Sequence, residues 1–283
     1  MQGRKSLKEL VTRGVERAGL RLPVFAPVAM ELQRVLGDDN ASAESVEKIL
    51  MKDPALVGEV LRMANSSAFA GLSRIDTLRH ALLRLGVRQV ARLAIASAQL
   101  SLYKSHNPLL SHRMELLWRE SYASAVAAGW IAERAGYPEL ASSAFLAGLL
   151  HDIGKLVVIK VIEDVISDNP NGFEFSEDLI DEMLDTLHCD TGYALMQRWN
   201  LPESYGIVAR DHHKENAGPG STLLAVVRLA GSVCDHLGIS SYKGPAVQPA
   251  ATPEATDLGL SEVRLAELEV KLEDLLVMPA AAG

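Results

Sequence analysis

The sequence predicts an all-α, multi-helical protein built as two helical lobes. Along most of the chain, apolar residues recur three or four positions apart, which is the spacing of one face of a helix. Residues that favour helix starts and helix ends flank several of these segments. No segment alternates apolar and polar residues convincingly enough to predict a strand. The expected architecture is therefore a helical bundle in each lobe and no β-sheet.

The first lobe is predicted to span residues 1–108, and capping residues mark its helices. Asp53 is typical of an N-cap, and the proline after it suits the first helical position, where a missing N–H costs nothing. Asp76 is a second predicted N-cap, and Gly86 is a predicted C-cap after leucines at helical spacing. A further helix is expected to start at Val87, in "VRQVARLAIASAQL".

The second lobe, also a helical bundle, is predicted to span residues 109–238. Its segment "LLWRESYASAVAAGWIAERAG" predicts a long amphipathic helix, rich in small residues and ended by Gly136 and Pro138. Residues 239–283 are expected to form a Pro/Ala-rich linker and a final helix, in which leucines recur at 3-4-3 spacing. That spacing fits a helix docked on its own domain and also a short coiled coil.

Composition favours a cytoplasmic protein without a membrane segment. The chain has 283 residues, of which 48% are hydrophobic, enough for one large core or two. Its start lacks the apolar stretch of a secretory signal, and no run approaches the roughly 18 uncharged residues of a membrane span. Cys189 and Cys234 fit no disulfide framework and suit a reducing compartment.

Charge is distributed unevenly along the chain. The net charge of −8 argues against a general nucleic-acid binder, yet residues 1–104 carry +6 and the remainder −14. Arg84, Arg88 and Arg92 recur every four residues in the basic part. Three explanations remain open for this basic stretch: a solvated helix surface, docking against the acidic second half, or binding of an acidic partner or nucleotide.

Histidines and one aspartate form the strongest candidate for a functional site. His151-Asp152 interrupts the apolar stretch "FLAGLLHDIGKLVV", where such hydrated groups cost several kcal/mol unless paired or bound to a cation. His188 and the adjacent His212-His213 follow on later predicted helices that would face the same core. Imidazoles and a carboxylate suit a divalent transition metal. The alternative is that these groups hydrogen-bond one another and bind nothing.

The order of these residues resembles the HD superfamily, the all-helical metal-dependent phosphohydrolases and phosphodiesterases. More specifically, residues 15–238 resemble HDOD proteins, which carry the HD-related output domain of bacterial signalling. The resemblance rests on "LPVFAPVAMELQRVL", "DPALVGEVLRMANSSAF", "IDTLRHALLRLGVRQV", "LLWRESYASA", "AFLAGLLHDIGKLV", "TGYALMQRWNLPE" and "DHH". It implies a bacterial module that relays a regulatory input by binding a partner in trans, either a signalling protein or a nucleotide.

The resemblance also implies a metal site, with two departures from the family pattern. Members that hydrolyse phosphodiesters with two metals begin their ligand set with a histidine, where this chain has Glu120, and close it with an aspartate, where it has Gly231. Asp235 lies one helical turn beyond Gly231 and could replace that aspartate only if its helix shifted. The predicted ligands are Glu120, His151, Asp152, His188, His212 and His213.

These departures leave two functional hypotheses. In the first, the chain is a non-catalytic signalling module with a degenerate metal site for Fe, Mn, Zn or Ni, and no catalytic residue is predicted. In the second, it is a metal-dependent phosphohydrolase or phosphodiesterase that has recruited the Glu120 carboxylate as a ligand. Neither membrane nor nucleic-acid binding is expected in either case.

Overall fold

The computed structural model describes residues 7–18, 26–37, 41–66, 69, 74–168, 175–214, 221–240 and 247–276. Over these residues the protein is all-α and contains no strand, which confirms the predicted fold class. The helices are α1 (Leu7–Ala18), α2 (Pro27–Leu36), α3 (Ala43–Leu50), α4 (Pro54–Ala64), α5 (Leu78–Leu85), α6 (Val87–Leu100), α7 (Pro108–Arg134), α8 (Ala141–Leu150), α9 (Ile153–Asp168), α10 (Glu177–Arg198), α11 (Glu203–Asp211), α12 (Thr222–His236), α13 (Pro253–Asp257) and α14 (Glu262–Leu276).

Capping residues set the helix boundaries in the first part of the chain. The Asp53 carboxylate accepts a hydrogen bond from the backbone N–H of Leu56 and caps α4, as predicted. Gly86 ends α5 with φ 82°, a backbone conformation that favours glycine. The prediction for Asp76 was wrong: Thr77, one residue later, supplies the capping oxygen for α5. A threonine hydroxyl caps almost as well as an aspartate, so the sequence alone did not separate the two.

The basic stretch on α5 and α6 divides between docking and solvent. Arg92 is buried, its guanidinium lies 3.0 Å from the Glu133 carboxylate of α7, and it also lies over the ring of Phe145 in α8. Arg88, one helical turn earlier, is exposed. Docking against the acidic second half therefore accounts for Arg92, and Arg88 remains at the surface.

The second part of the chain packs around α7, which contacts α8, α9, α12 and α14. Small residues allow these helices to approach closely. A Cβ atom on Gly148 of α8 would lie 2.6 Å from the backbone oxygen of Ser124 in α7. A Cβ on Gly154 of α9 would lie 1.9 Å from the backbone oxygen of His188 in α10. Glycine at these two positions brings α8 into backbone contact with α7 and α9 into backbone contact with α10.

The first and last described helices pack onto the same body. Helix α1 contacts α9 and α10, although it belongs to the predicted first lobe, and the boundary at residue 108 stays a prediction. Within the predicted linker, residues 241–246 lie outside the described residues, and the short helix α13 follows. The four leucines of α14 are buried and the helix docks on α7, as the docking hypothesis expects. Among the described helices, none has the length and apolar character needed to cross a bilayer.

Candidate metal centre

All six predicted site residues come together in the second part of the chain. Potential ligand atoms form two groups, and within each group the atoms lie within 4.8 Å of one another. The histidine half consists of Asp152, His188, His212 and His213. The acidic half consists of Glu120, His151 and Asp152. Asp152 belongs to both halves, and the ligand role of the six residues stays a prediction.

The His151-Asp152 pair lies in a break between two helices. We expected the pair within one helix, where adjacent side chains point about 100° apart. Instead α8 ends at Leu150 and α9 begins at Ile153, so the pair forms the turn that connects them. Both side chains are buried in this turn and both reach the centre of the site.

Three imidazoles are fixed in the same orientation by backbone carbonyl groups. A carbonyl oxygen only accepts, so each Nδ1 that contacts one carries the proton and donates it. The Nδ1–oxygen distances are 2.8 Å for His151 and Gly148, 2.8 Å for His188 and Leu184, and 3.0 Å for His212 and Ala209. Each Nε2 of the neutral ring is therefore a lone-pair acceptor, the arrangement found in histidines that bind metals.

One oxygen of Asp152 faces these acceptors without a donor between them. Its Oδ1 lies 3.5 Å from His188 Nε2 and 3.4 Å from His212 Nε2, longer than an ordinary N–H···O hydrogen bond. Asp152 Oδ1 and His212 Nε2 are both buried and neither has a hydrogen-bond partner. Buried acceptors that face one another need a shared cation or protons to be satisfied. The residues of the histidine half therefore fit a metal ion.

The other oxygen of Asp152 is paired with an ammonium group. Lys155 Nζ lies 2.6 Å from Asp152 Oδ2 and 3.6 Å from Glu120 Oε1. Burial opposes charge on the lysine, but the two carboxylates outweigh it, and the pKa of Lys155 lies above its ordinary value. Burial also opposes charge on Asp152, yet Lys155 and the neighbouring imidazoles hold the pKa of its carboxyl well below the usual range. The ion pair is thus fully charged at neutral pH.

Burial lowers the pKa of three site histidines, His151, His188 and His213. Desolvation lowers the pKa of His151 to about 4, in spite of the nearby Asp152 carboxylate. The pKa of His188 is lowered for the same reason. His213 is more exposed than the other site residues, but desolvation of its ring and the adjacent His212 lower its pKa as well. A histidine must be neutral to bind a metal, so these groups need not lose protons first.

The family model of the HDOD domain matches residues 22–215, which make up more than half of the chain. The chain belongs to the HDOD domain family.

Solved structures share this HDOD fold at low sequence identity. An HDOD domain protein of unknown function from Geobacter sulfurreducens is 24% identical with a TM-score of 0.75, covering 96% of this chain and 98% of that one. A proposed metal-dependent phosphohydrolase from Shewanella amazonensis SB2B is 20% identical with a TM-score of 0.64, covering 94% and 99%. A proposed signal transduction protein from Marinobacter aquaeolei VT8 is 21% identical with a TM-score of 0.68, covering 96% and 64%.

One curated relative is an uncharacterized protein from Treponema pallidum (strain Nichols). It is 25% identical over 197 residues, which make up 68% of this chain. The same alignment spans only 37% of the length of the Treponema protein.

The position of the missing closing aspartate is open in this HDOD protein. Gly231 lines a cavity of about 560 Å³ that also borders both halves of the site. A Cβ atom on Gly231 would meet nothing within 4 Å, so a carboxylate there would have room. Asp235 lines the same cavity but is hydrogen-bonded to the Ser240 hydroxyl and joins neither ligand group. Asp235 therefore does not take the place of the missing aspartate.

Two side chains at the centre differ from what the sequence suggested. Adjacent side chains on a helix point about 100° apart, yet the Sγ of Cys189 lies 3.3 Å from His188 Nε2. Burial raises the pKa of this thiol to about 11, so it stays protonated at neutral pH and can donate weakly to the imidazole. The Lys155 ammonium is paired with Asp152, a contact that was not predicted. Its spacing from Asp152, one helical turn, was the available signal for the ion pair.

Proposed function

We propose that this chain is a signalling output module whose histidine half binds one divalent transition metal and which does not hydrolyse phosphoesters. One observation supports this proposal most strongly. Among the described residues, Asp152 Oδ1 and His212 Nε2 are buried acceptors without a hydrogen-bond partner, and they lie 3.4 Å apart. A cation between them would satisfy both.

The donor set indicates the class of metal. Three imidazoles and one carboxylate suit Fe, Mn, Zn or Ni better than Mg or Ca, which prefer oxygen ligands. His188, His212 and His213 would supply nitrogen and Asp152 would supply its Oδ1. A bound ion supplies Lewis acidity toward a water or an anion in the neighbouring cavity.

The acidic half supports a non-catalytic role. Two-metal hydrolysis requires ions that hold both the attacking water and the oxygens of the phosphate in line. In this chain the acidic half holds the Lys155 ammonium, and Gly231 offers no ligand where related enzymes place an aspartate. While the ammonium holds these carboxylates, they are not available to bind a second ion.

The signalling role rests on the HDOD family and on what that family resemblance implies. The fold likeness to the Marinobacter signal transduction protein agrees with it but at 21% identity concerns the fold alone. The partner, a signalling protein or a nucleotide, would act in trans. The exposed Arg88 on α6 is one candidate contact for an acidic partner.

The second candidate function is a metal-dependent phosphohydrolase. One observation favours it: the Glu120 carboxylate lies in one group with His151 and Asp152, as a recruited ligand would. The fold likeness to the Shewanella phosphohydrolase is compatible with this alternative.

One experiment separates the two functions. The full chain is stripped of metal, reloaded with Mn, Fe, Zn or Ni in turn, and assayed for metal content and for cleavage of bis(p-nitrophenyl) phosphate. We expect about one metal per chain and no cleavage above the protein-free control. Asp152→Asn is the matched variant and should bind no metal. Metal-dependent cleavage that disappears in Asp152→Asn would establish the phosphohydrolase, and failure to bind any of the four metals would refute the metal centre.

A further inference from the structure

We propose that Lys155 acts as a built-in substitute for the second metal ion and limits the centre to a single metal. This inference deepens the proposed function and rests on the metal centre described there. It assigns to a side chain of the protein the position that a divalent cation would take between Glu120 and Asp152.

The contacts of Lys155 are those of a cation held by the acidic half. Its Nζ lies 2.6 Å from Asp152 Oδ2 and 3.6 Å from Glu120 Oε1, and these two residues with His151 form the acidic group. The lysine is buried, with 8% of its surface exposed, and it lies in the first turn of α9, directly after the His151-Asp152 turn. The course of the backbone therefore places the Lys155 ammonium between the carboxylates of Glu120 and Asp152.

A metal ion in the acidic half would compete with the ammonium for the same oxygens. Carboxylate oxygens bind divalent transition metals at about 2.0–2.2 Å. An ion at that distance from Asp152 Oδ2 and Glu120 would lie almost in contact with Nζ, and the two positive charges would repel each other strongly in a buried site. The ion and the ammonium exclude one another unless Lys155 withdraws into the adjoining cavity.

The charge of the acidic half suits a monovalent cation. Glu120 contributes one negative charge, and Asp152 shares its charge with the histidine half. Glycine at position 231 adds none, although the space beside it is open. One ammonium balances this half more closely than a divalent ion would.

Among the residues that the structure describes, none places a comparable cation in the histidine half. Asp152 Oδ1 lacks a hydrogen-bond partner, and the Nε2 atoms of His188 and His212 lie 3.4–3.5 Å from it. Lys155 thus satisfies one oxygen of the shared carboxylate and leaves the other for the metal. The predicted stoichiometry is one metal per chain, held by the histidine half.

The test counts metals in Lys155→Met, which keeps an unbranched side chain one atom shorter than that of lysine and removes its charge. Elemental analysis of the reloaded full chain should give about one metal in the wild type and about two in the variant. With Mn²⁺, electron paramagnetic resonance should show an isolated ion in the wild type and a spin-coupled pair in the variant. The matched control is Lys160→Ala, which replaces a half-buried lysine on the same helix that is paired with Glu163, and it should match the wild type.

Each result decides the inference. One metal in both proteins would overturn the role of Lys155 while leaving the proposed metal centre intact. A spin-coupled pair in the wild type would also overturn it, and this measurement does not depend on whether the variant folds. No metal in either protein would refute the proposed function and this inference together.

Discussion

The two halves of the centre share the Asp152 carboxylate, but its two oxygens have different surroundings. On the acidic side, Asp152 Oδ2 is paired with the Lys155 ammonium at 2.6 Å. On the histidine side, Asp152 Oδ1 faces imidazole nitrogens that carry lone pairs and has no hydrogen-bond partner. The protein itself satisfies the charge of the acidic half, and we propose that an added cation completes the histidine half.

The largest expected effect comes from separating the helices that bring the halves together. Gly154→Ala places a Cβ about 1.9 Å from the backbone oxygen of His188, so α9 and α10 must move apart. We expect a loss of about 3 kcal/mol or more in the free energy of unfolding, a fall of roughly 6 °C or more in melting temperature, and loss of metal binding. Calorimetry and elemental analysis measure these changes.

Gly58→Ala is the matched control for that substitution. Gly58 is exposed in the middle of α4, and an added Cβ would meet nothing within 4 Å. Alanine there should raise stability by about 0.5–1 kcal/mol, since glycine disfavours a helix interior. Equal behaviour of the two alanine variants would show that the close approach at Gly154 is not needed.

Acid should destabilise the metal-free protein through the buried histidines. The pKa of His151 is lowered by burial to about 4, below the ordinary value near 6.5, so the unfolded chain binds more protons between these values. Stability is therefore fully present above about pH 6.5 and falls as the pH drops toward 4, by about 3 kcal/mol for this residue. Urea denaturation of the protein in chelator across this range measures the loss.

The control for the pH dependence is a variant that cannot gain the proton. His151→Leu should reduce the slope of stability against pH between 6.5 and 4. A slope equal to that of the wild type would mean that the titration of His151 does not contribute.

Substitutions in the two halves should differ in their effect on metal affinity. His188→Ala removes a nitrogen ligand from the histidine half and should weaken binding at least about 100-fold, or roughly 2.7 kcal/mol. Glu120→Gln changes the acidic half and should leave affinity within about threefold of the wild type, because Lys155 and not the metal occupies that half. Isothermal titration calorimetry measures both. Equal losses of metal affinity in the two variants would contradict the assignment of the metal to the histidine half.

The smallest effects are expected for substitutions far from the centre, which should change stability without changing metal content. Arg92→Ala removes the contact with Glu133 and the packing against Phe145, and should cost about 1–2 kcal/mol of stability. Arg88→Ala, on the exposed face of the same helix, should change stability by less than about 0.5 kcal/mol. Metal content should match the wild type in both. Loss of metal in Arg92→Ala would indicate that the centre depends on the packing of α6 against α7.

Much of the fold followed from local signals in the sequence. Asp53 and Gly86 were recognisable as caps because they combine a favoured residue type with an adjacent apolar helical pattern. Asp76 was chosen over Thr77 because both residue types cap helices and only the backbone geometry separates them. The short helix α13 was missed because a five-residue helix has too few positions to show a period.

The members of the site were predictable, but their roles were not. The spacing of His151-Asp152, His188 and His212-His213 identified which residues meet, because the family resemblance fixed their order. The division of Asp152 between two sides depends on the turn between α8 and α9 and on where Lys155 Nζ lies. The one-turn spacing of Asp152 and Lys155 indicates that the two can pair, but which oxygen of Asp152 the ammonium contacts depends on tertiary packing.

The most direct test of this account is an anomalous diffraction map of wild-type crystals grown with Mn, Fe or Zn and measured at the absorption edge of that metal. The account predicts a single peak about 2.0–2.2 Å from Nε2 of His188 and His212 and from Oδ1 of Asp152, with Lys155 still paired to Oδ2. Absence of a peak, or a peak between Glu120 and His151 in place of the Lys155 ammonium, would contradict it.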